Sequence, residues 1–314
     1  MKSSNFRRYW YASALLLLVG STAQATTLYV NCGGRSGGGA FTSIRAALKA
    51  LQSSESHGPT TINVSGVCHE NVLIQNVDRV TLAAAPGASI NDASGGNADT
   101  VQIASSQGVS INNFTINGGA SGVDCILGSL CYLNGNTVQG ASGNAGVNAA
   151  ALSRIFVSGG TIQGNLIGIN AQNGAGVWAI GVLIQQNQQG VNLVSQGLLQ
   201  TNAIITANTG TGVSATHNST FNCNGCSVTG NGNHGIILRR NSTAKFFGGP
   251  AVTGNNGGGV LLSEESSAYF ASPATVTGNS GGLDVACGNS ATTATNATTN
   301  IGGGSTNCTE PVDP

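Results

Sequence analysis

The sequence predicts an all-β solenoid of stacked parallel strands, and three observations predict it. An apolar-x-x-Asn tetrapeptide recurs as Ile162-Gln163-Gly164-Asn165, Ile184-Gln185-Gln186-Asn187, Ile205-Thr206-Ala207-Asn208, Val228-Thr229-Gly230-Asn231, Val252-Thr253-Gly254-Asn255 and Val276-Thr277-Gly278-Asn279. Its asparagines step by 22, 21, 23, 24 and 24 residues, taking differences of their numbers. Self-similarity at such a period marks stacked repeats, each too small to bury its own apolar face. Short alternating strands recur at near-constant intervals without a tight Asn-Gly hairpin code between them, which favours parallel stacking over a meander. The composition agrees: charged residues are 7% of the chain, hydrophobic residues 40%, and Gly fills 48 of 314 positions. That suits half-buried strands joined by many tight turns and is unlike a charge-rich disordered chain.

Residues 1–25 read as a secretory signal. Lys2, Arg7 and Arg8 form the basic start, residues 12–20 the apolar core, and Ala23-Gln24-Ala25 a small-x-small cleavage site. The apolar run is too short for a spanning helix, which needs roughly 20 residues. The Arg7-Arg8 pair leaves twin-arginine export as a minor alternative. Cleavage removes three of the 11 basic residues and none of the 11 acidic ones, leaving 11 − 3 = 8 against 11, a charge of −3. Clustered Lys and Arg, which nucleic-acid binding requires, are missing, and no later stretch is apolar enough to span a membrane. The expectation is an exported protein, secreted or periplasmic.

Residues 26–58 read as an N-terminal cap. Thr27-Leu28-Tyr29-Val30 is a first strand, followed by a Gly-rich loop. Ile44, Ala47, Leu48 and Leu51 then recur at helical spacing, with Thr42 or Ser43 as N-cap. The helix is expected to cover the open end of the stack, where core and unpaired backbone would otherwise be exposed.

Residues 59–288 read as the repeats. Ile62-Asn63-Val64, Val72-Leu73-Ile74, Val80-Thr81-Leu82, Val101-Gln102-Ile103, Val109-Ser110-Ile111 and Phe114-Thr115-Ile116 alternate in and out. Asn tolerates the left-handed backbone region that a sharp bend needs. Stacked at about 4.8 Å, the asparagine amides would also bond from coil to coil as a ladder. Phe221, Phe246 or Phe247, and Phe270 precede their coil's asparagine by 8 to 10 residues and are expected to stack in the core. Residues 289–314 form a Thr/Asn/Ser-rich tail with little to bury, expected to be loosely ordered and tethered by Cys308.

All eight cysteines follow the signal, an even count that suits an oxidising compartment. Spacing does not fix connectivity but favours local pairs: Cys32–Cys68, Cys125–Cys131, Cys223–Cys226 and Cys287–Cys308. Cys223-Asn224-Gly225-Cys226 has a metal-like spacing too, yet no second ligand pair is evident, so a disulfide is expected.

Phe41-Thr42-Ser43-Ile44-Arg45-Ala46-Ala47-Leu48, the repeated Val-Thr-Gly-Asn and the Gly-Val/Ile-x-Leu strand after it resemble the pectin-lyase-like superfamily. The resemblance spans roughly residues 27–288 and implies a right-handed, single-stranded parallel β-helix. It does not select an activity, because the superfamily holds polysaccharide lyases and hydrolases alongside tailspikes, adhesins and coils without catalysis. The polygalacturonase-like segments (Asn-Thr-Asp, Asp-Asp, Gly-His-Gly) are not matched; Asp124 is isolated, and Asn233-His234-Gly235 stands in place of the last. Asp124 and Asp284 read as one column but seven coils apart, about 34 Å, so they cannot share a calcium ion. No metal or other cofactor is expected.

Two outward columns remain as candidate sites. The residue after each Gly-Val/Ile gives Asp124, Asn148, Asn170, Asn192, Ser214, Ile237, Leu261 and Asp284. Asn148, Asn170 and Asn192, with Arg239, are candidate ligand-binding residues for a hydroxyl-rich ligand. Nine residues beyond successive asparagines lie Gln196, His217, Arg240 and Glu264, with Arg239, Glu265 and His234 near. His217, Arg240 and Glu264 are candidate catalytic residues, a base and a cation for a uronate carboxylate, or else a plain surface ion pair. Residues 91–99 and 118–134 are further candidates as long loops carrying Asp92, Asp99 and Asp124. The expected function is a noncatalytic glycan-interacting or surface/matrix module, partnered by a polysaccharide or cell-surface glycan. The alternative is a divergent polysaccharide lyase or glycoside hydrolase.

Overall fold

Alternating apolar residues at each strand need a core on one side only, and three strands per coil supply it. The computed structural model describes residues 25–34, 39–52, 59–288 and 292–309. The signal reading of residues 1–25 falls, apart from Ala25, outside them. The chain winds as a right-handed parallel solenoid whose coils each contribute one strand to each of three sheets. Strands Val80–Ala84, Ser89–Asn91 and Val101–Ala104 are one such set, belonging to the first, second and third sheets in turn. Every neighbour pair is parallel, as in Thr137↔Thr161 and Val138↔Ile162 on the second sheet. Among the described residues the third sheet contains ten strands, from Val72–Gln75 to Val285–Cys287.

Inward positions are aliphatic and closed to solvent, Ile111, Ile155, Val177 and Leu199 among them. The C-terminal coils add the expected phenylalanine stack. Phe246 and Phe270 lie parallel with centroids 4.7 Å apart, and Phe221 meets Phe246 edge-on at 6.2 Å. Phe246, not Phe247, enters the core, since Cys223↔Phe246↔Phe270 share a register. Phe221, Phe246 and Phe270 are fully buried and fill the core as expected.

The asparagine ladder forms, but the bend is made by a different residue. Asn187 is representative: its N–H and Nδ2 donate to Asn208 Oδ1, each at 3.0 Å, and Nδ2 also donates to Ile162 O at 3.1 Å. The left-handed residue precedes each asparagine: Gly164 (φ 63°), Gln186 (55°), Ala207 (52°), Gly230 (62°), Gly254 (64°) and Gly278 (69°). Glycine is favoured there because it pays no Cβ penalty. Asn is required beside it for hydrogen bonding alone. A second ladder was not anticipated from sequence. At the corner from third to first sheet, buried serines bond from coil to coil, as in Ser106 N→Ser129 Oγ, Ser129 N→Ser153 Oγ and Ser219 N→Ser242 Oγ at 3.1, 3.1 and 3.2 Å.

The N-terminal helix, Ile44–Gln52, buries Ile44, Ala47 and Leu48. Ser43 is its N-cap, accepting from Ala46 N at 3.1 Å. Glu70 reaches in from the coil below, accepting from Ile44 N at 2.7 Å and Arg45 N at 3.0 Å. A carboxylate there satisfies free N–H groups and the positive end of the helix dipole. All four disulfides join the pairs favoured by spacing, so Cys223–Cys226 is not a metal site. Residues 292–309, the described part of the tail, carry more structure than their composition suggests. Thr293–Thr295 extends the first sheet, pairing with Ser267–Phe270, and Ile301 is buried at 2% exposure. Residues 118–134 are likewise not a long loop, since they contain the strands Val123–Ile126 and Leu130–Asn134.

Candidate functional site

Outward residues stack by the same register as the core, so each sheet presents columns of side chains about 4.8 Å apart. On the third sheet the column runs Gln102, Asp124, Asn148, Asn170, Asn192 and Ser214. Its members are linked: Asn148 Nδ2→Asp124 Oδ1 at 2.7 Å, Asn170 Nδ2→Asn148 Oδ1 at 2.8 Å and Asn192 Nδ2→Asn170 Oδ1 at 2.9 Å. Alternation gave their direction correctly but not their accessibility. Asn148 and Asn170 are each only 4% exposed, which closes them to an outside ligand; Asn192 is more open.

Asp284 does not belong to that column. Val260 pairs with Val285, so Ala286 follows Leu261 outward, and Asp284 stands where the previous coil has Gly259. There it ends the asparagine ladder, accepting from Asn279 Nδ2 at 3.0 Å. Although burial pushes its carboxyl upward, hydrogen bonds from Ser305 and Asn279 bring it below the usual range.

Two of the three loop aspartates converge. Gln102 Nε2 donates to Asp99 Oδ2 at 3.1 Å and Asp124 Oδ2 at 3.2 Å, bridging the pair. Burial, opposed by the Asn148 hydrogen bond and reinforced by the Asp99 charge, pushes Asp124 up to about 6. Asp92 instead organises its own loop, accepting from Ser94 N, Gly96 N and Asn71 Nδ2 at 2.8, 2.6 and 2.7 Å. These bonds outweigh burial and hold its carboxyl well below the ordinary value. Beside Asp99 and Gln102 lies an open depression of about 350 Å³ that Asn71 and Asn97 also line.

His217, Arg240 and Glu264 do form a row, at the corner between third and first sheets. Arg240 Nη1 lies 2.6 Å from His217 Nε2, and Arg240 Nε donates to Glu264 Oε2 at 3.2 Å. The guanidinium and carboxylate side chains are 57% and 50% exposed. At that exposure the pair contributes little and shares its contacts with water. Gln196 is not in the row: Val194 pairs with Thr216, which sets Ser195 beside His217. The corner after Asn208 is one residue longer than that after Asn187, which shifts the count. Arg239 is exposed just past the third-sheet strand Ile236–Leu238, and burial together with the Arg239 charge keeps the His234 imidazole below its ordinary pKa.

The second sheet carries a polar row that the sequence reading passed over. Asn117 Nδ2→Asn91 Oδ1 (2.6 Å), Gln139 Nε2→Asn117 Oδ1 (2.8 Å), Gln163 Nε2→Gln139 Oε1 (3.0 Å) and Gln185 Nε2→Gln163 Oε1 (3.0 Å) run unbroken along the axis. All five residues are half-buried. The column continues as Thr206, Thr229, Thr253 and Thr277. Beside the amides lies a trough of about 340 Å³, floored by Gly118, Gly140 and Gly164 and bounded by Gln186. The signal was present inside the repeated tetrapeptide, whose second residue is Gln163 or Gln185. On the first sheet Tyr132, Phe156 and Trp178 stack outward, centroids 5.3 and 4.9 Å apart and planes within 16°. Their faces are turned on one another, so they brace adjacent strands and leave little ring face for a sugar.

Residues 99–249 match the family model described as "Right handed beta helix region". No curated protein matches the sequence. Among solved structures, the A-module of mannuronan C-5 epimerase AlgE6 from Azotobacter vinelandii is similar at 13% identity and a TM-score of 0.52, over 80% of this chain and 87% of that one. The A-module of AlgE4 from the same organism is similar at 10% identity and a TM-score of 0.49, over 80% and 90%. At these identities the likeness concerns the fold alone. The protein has the right-handed parallel β-helix fold that this family model describes. Its four disulfides suit an oxidising environment. Among the described residues no helix is long and apolar enough to cross a membrane.

Proposed function

We propose that the protein is an exported, noncatalytic β-helix module that binds glycans. The observation that carries this reading is the half-buried amide row of the second sheet, running from Asn91 to Gln185 beside an open trough. Each primary amide has two N–H donors and two acceptor lone pairs. Between coils Asn117, Gln139 and Gln163 each use one donor and one acceptor, Asn91 one acceptor and Gln185 one donor, and the amide positions left over suit sugar hydroxyls. The charged row offers less for chemistry. Arg240 is engaged with both neighbours at an exposed corner, whereas catalysis by charge stabilisation needs a water-excluded, preorganised site. The shared fold of the mannuronan epimerases is compatible with a polysaccharide ligand but does not argue for epimerisation here.

The test is to incubate the mature protein with neutral and uronic-acid polysaccharides, following binding, unsaturated products and new reducing ends together. Binding without products is the expected result. Products that vanish in His217→Ala, Arg240→Ala or Glu264→Ala would establish the lyase or hydrolase alternative and overturn the noncatalytic reading.

A further inference from the structure

Among the described residues, and beyond its first coil, whose outward residues are Val67 and His69, the strands of the second sheet carry no ionisable side chain. Its two outward columns, traced from Ser89 and Asn91 to Thr275 and Thr277, consist of amide and hydroxyl side chains with the apolar Leu183, Ile204 and Ala251 in the column beside the amides. The register holds without a bulge through the amide half, so equivalent atoms recur at one interval along the axis, about 4.8 Å per coil. Nine coils make this face about 38 Å long.

Resting on the glycan-binding reading, we propose that this face holds an uncharged polysaccharide in an extended conformation, lying parallel to the helix axis with its sugars beside Gln139, Gln163 and Gln185. Three features select that ligand. Among the described residues the face has no Arg or Lys, the groups that would fork onto a uronate or sulfate, so an anionic chain would lose water without gaining a cationic partner. Free amide positions recur at intervals comparable to a pyranose ring, so an extended chain meets one amide per sugar whereas a compact or branched one does not. The trough is lined by glycine: a Cβ built on Gly164 would meet nothing within 4 Å, one on Gly140 would meet Gly118 N at 3.5 Å and one on Gly118 would meet Asp92 Cβ at 3.0 Å, so the room for a chain to lie against backbone is greatest at Gly164. Gln186, at the equivalent corner of the next coil, raises an end wall and an additional amide.

The amides are already bonded to one another, so they are held in place before ligand arrives and lose little rotamer freedom on binding. A neutral ligand also predicts weak dependence on salt, because no exposed ion pair is screened.

The test uses the full mature chain and soluble neutral oligosaccharides from several linkage types, with polyuronates in parallel, titrated at low and high salt. Expected is binding to at least one neutral series, a salt effect below twofold, and at least a tenfold loss in Gln139→Ala/Gln163→Ala. Lys245→Ala, on the first sheet, should bind as wild type. Circular dichroism and thermal unfolding of the double variant establish that it is folded; if it is not, Gln163→Glu, which keeps the shape and adds a charge, must weaken neutral binding by the same order. Neutral binding that survives both changes would overturn the assignment of this face while leaving glycan binding standing. Binding confined to polyuronates and abolished by salt would overturn the ligand class. No binding to any glycan would remove the underlying reading as well.

Discussion

Asn187 shows why the repeat keeps asparagine. Its Oδ1 accepts from both Asn165 N and Asn165 Nδ2 at 3.0 Å, in a position with no solvent exposure. Asn187→Ala strands two buried donors as well as losing its own bonds, and buried unsatisfied groups cost about 1–3 kcal/mol each. A loss of about 3 kcal/mol in urea unfolding is expected; a loss below 1 kcal/mol would mean that water replaces the amide. Asp124 makes a prediction of opposite character. Burial and Asp99 raise its carboxyl from 3.8 to about 6, so between those values the unfolded chain releases the proton while the folded chain keeps it. Stability therefore falls as pH rises through that window, by about 3 kcal/mol for this group. Unfolding midpoints of wild type and Asp124→Asn measured at pH 4 and pH 7 should diverge at the higher pH, with the variant the more stable; parallel pH profiles would contradict this.

Elements in this fold gain stability at corners and ends more than from strand propensity. Many strands are three residues long, such as Thr161–Gln163, too short to specify their own register without the ladders beside them. The N-terminal helix depends on Glu70 in the same way. Glu70→Ala removes both acceptors from Ile44 N and Arg45 N and should cost about 1–2 kcal/mol. Hydrogen exchange should then quicken first in the helix and not in the central coils. Some of this organisation was legible and some was hidden. The asparagine period exposed the coils and the helical spacing exposed the cap, because both depend on local sequence. The C-terminal strand Thr293–Thr295 was hidden because its partners lie a whole coil away, at Ser267–Phe270. The closed state of Asn148 and Asn170 was hidden for a related reason: alternation gives a side chain's direction, while burial depends on its neighbours. Counting from Asn187 misplaced Gln196 because one extra corner residue shifts every outward position after it.

For the whole molecule, stacking turns one polar side chain per coil into a continuous surface. His217, Arg240 and Glu264 illustrate the limit of reading chemistry from such columns: they were aligned correctly, yet they are exposed and bonded to one another. The amide row of the second sheet differs because it is uncharged, half-buried and repeated beside an open trough. A repeating ligand on a repeating face should gain affinity with length, as each added sugar meets another coil and less translational freedom is lost per contact. The most direct measurement is calorimetric titration with a chain-length series of the neutral oligosaccharide that binds. The account predicts affinity rising stepwise through at least four sugars before levelling off. Affinity already complete at one or two sugars, or no binding at any length, would contradict it.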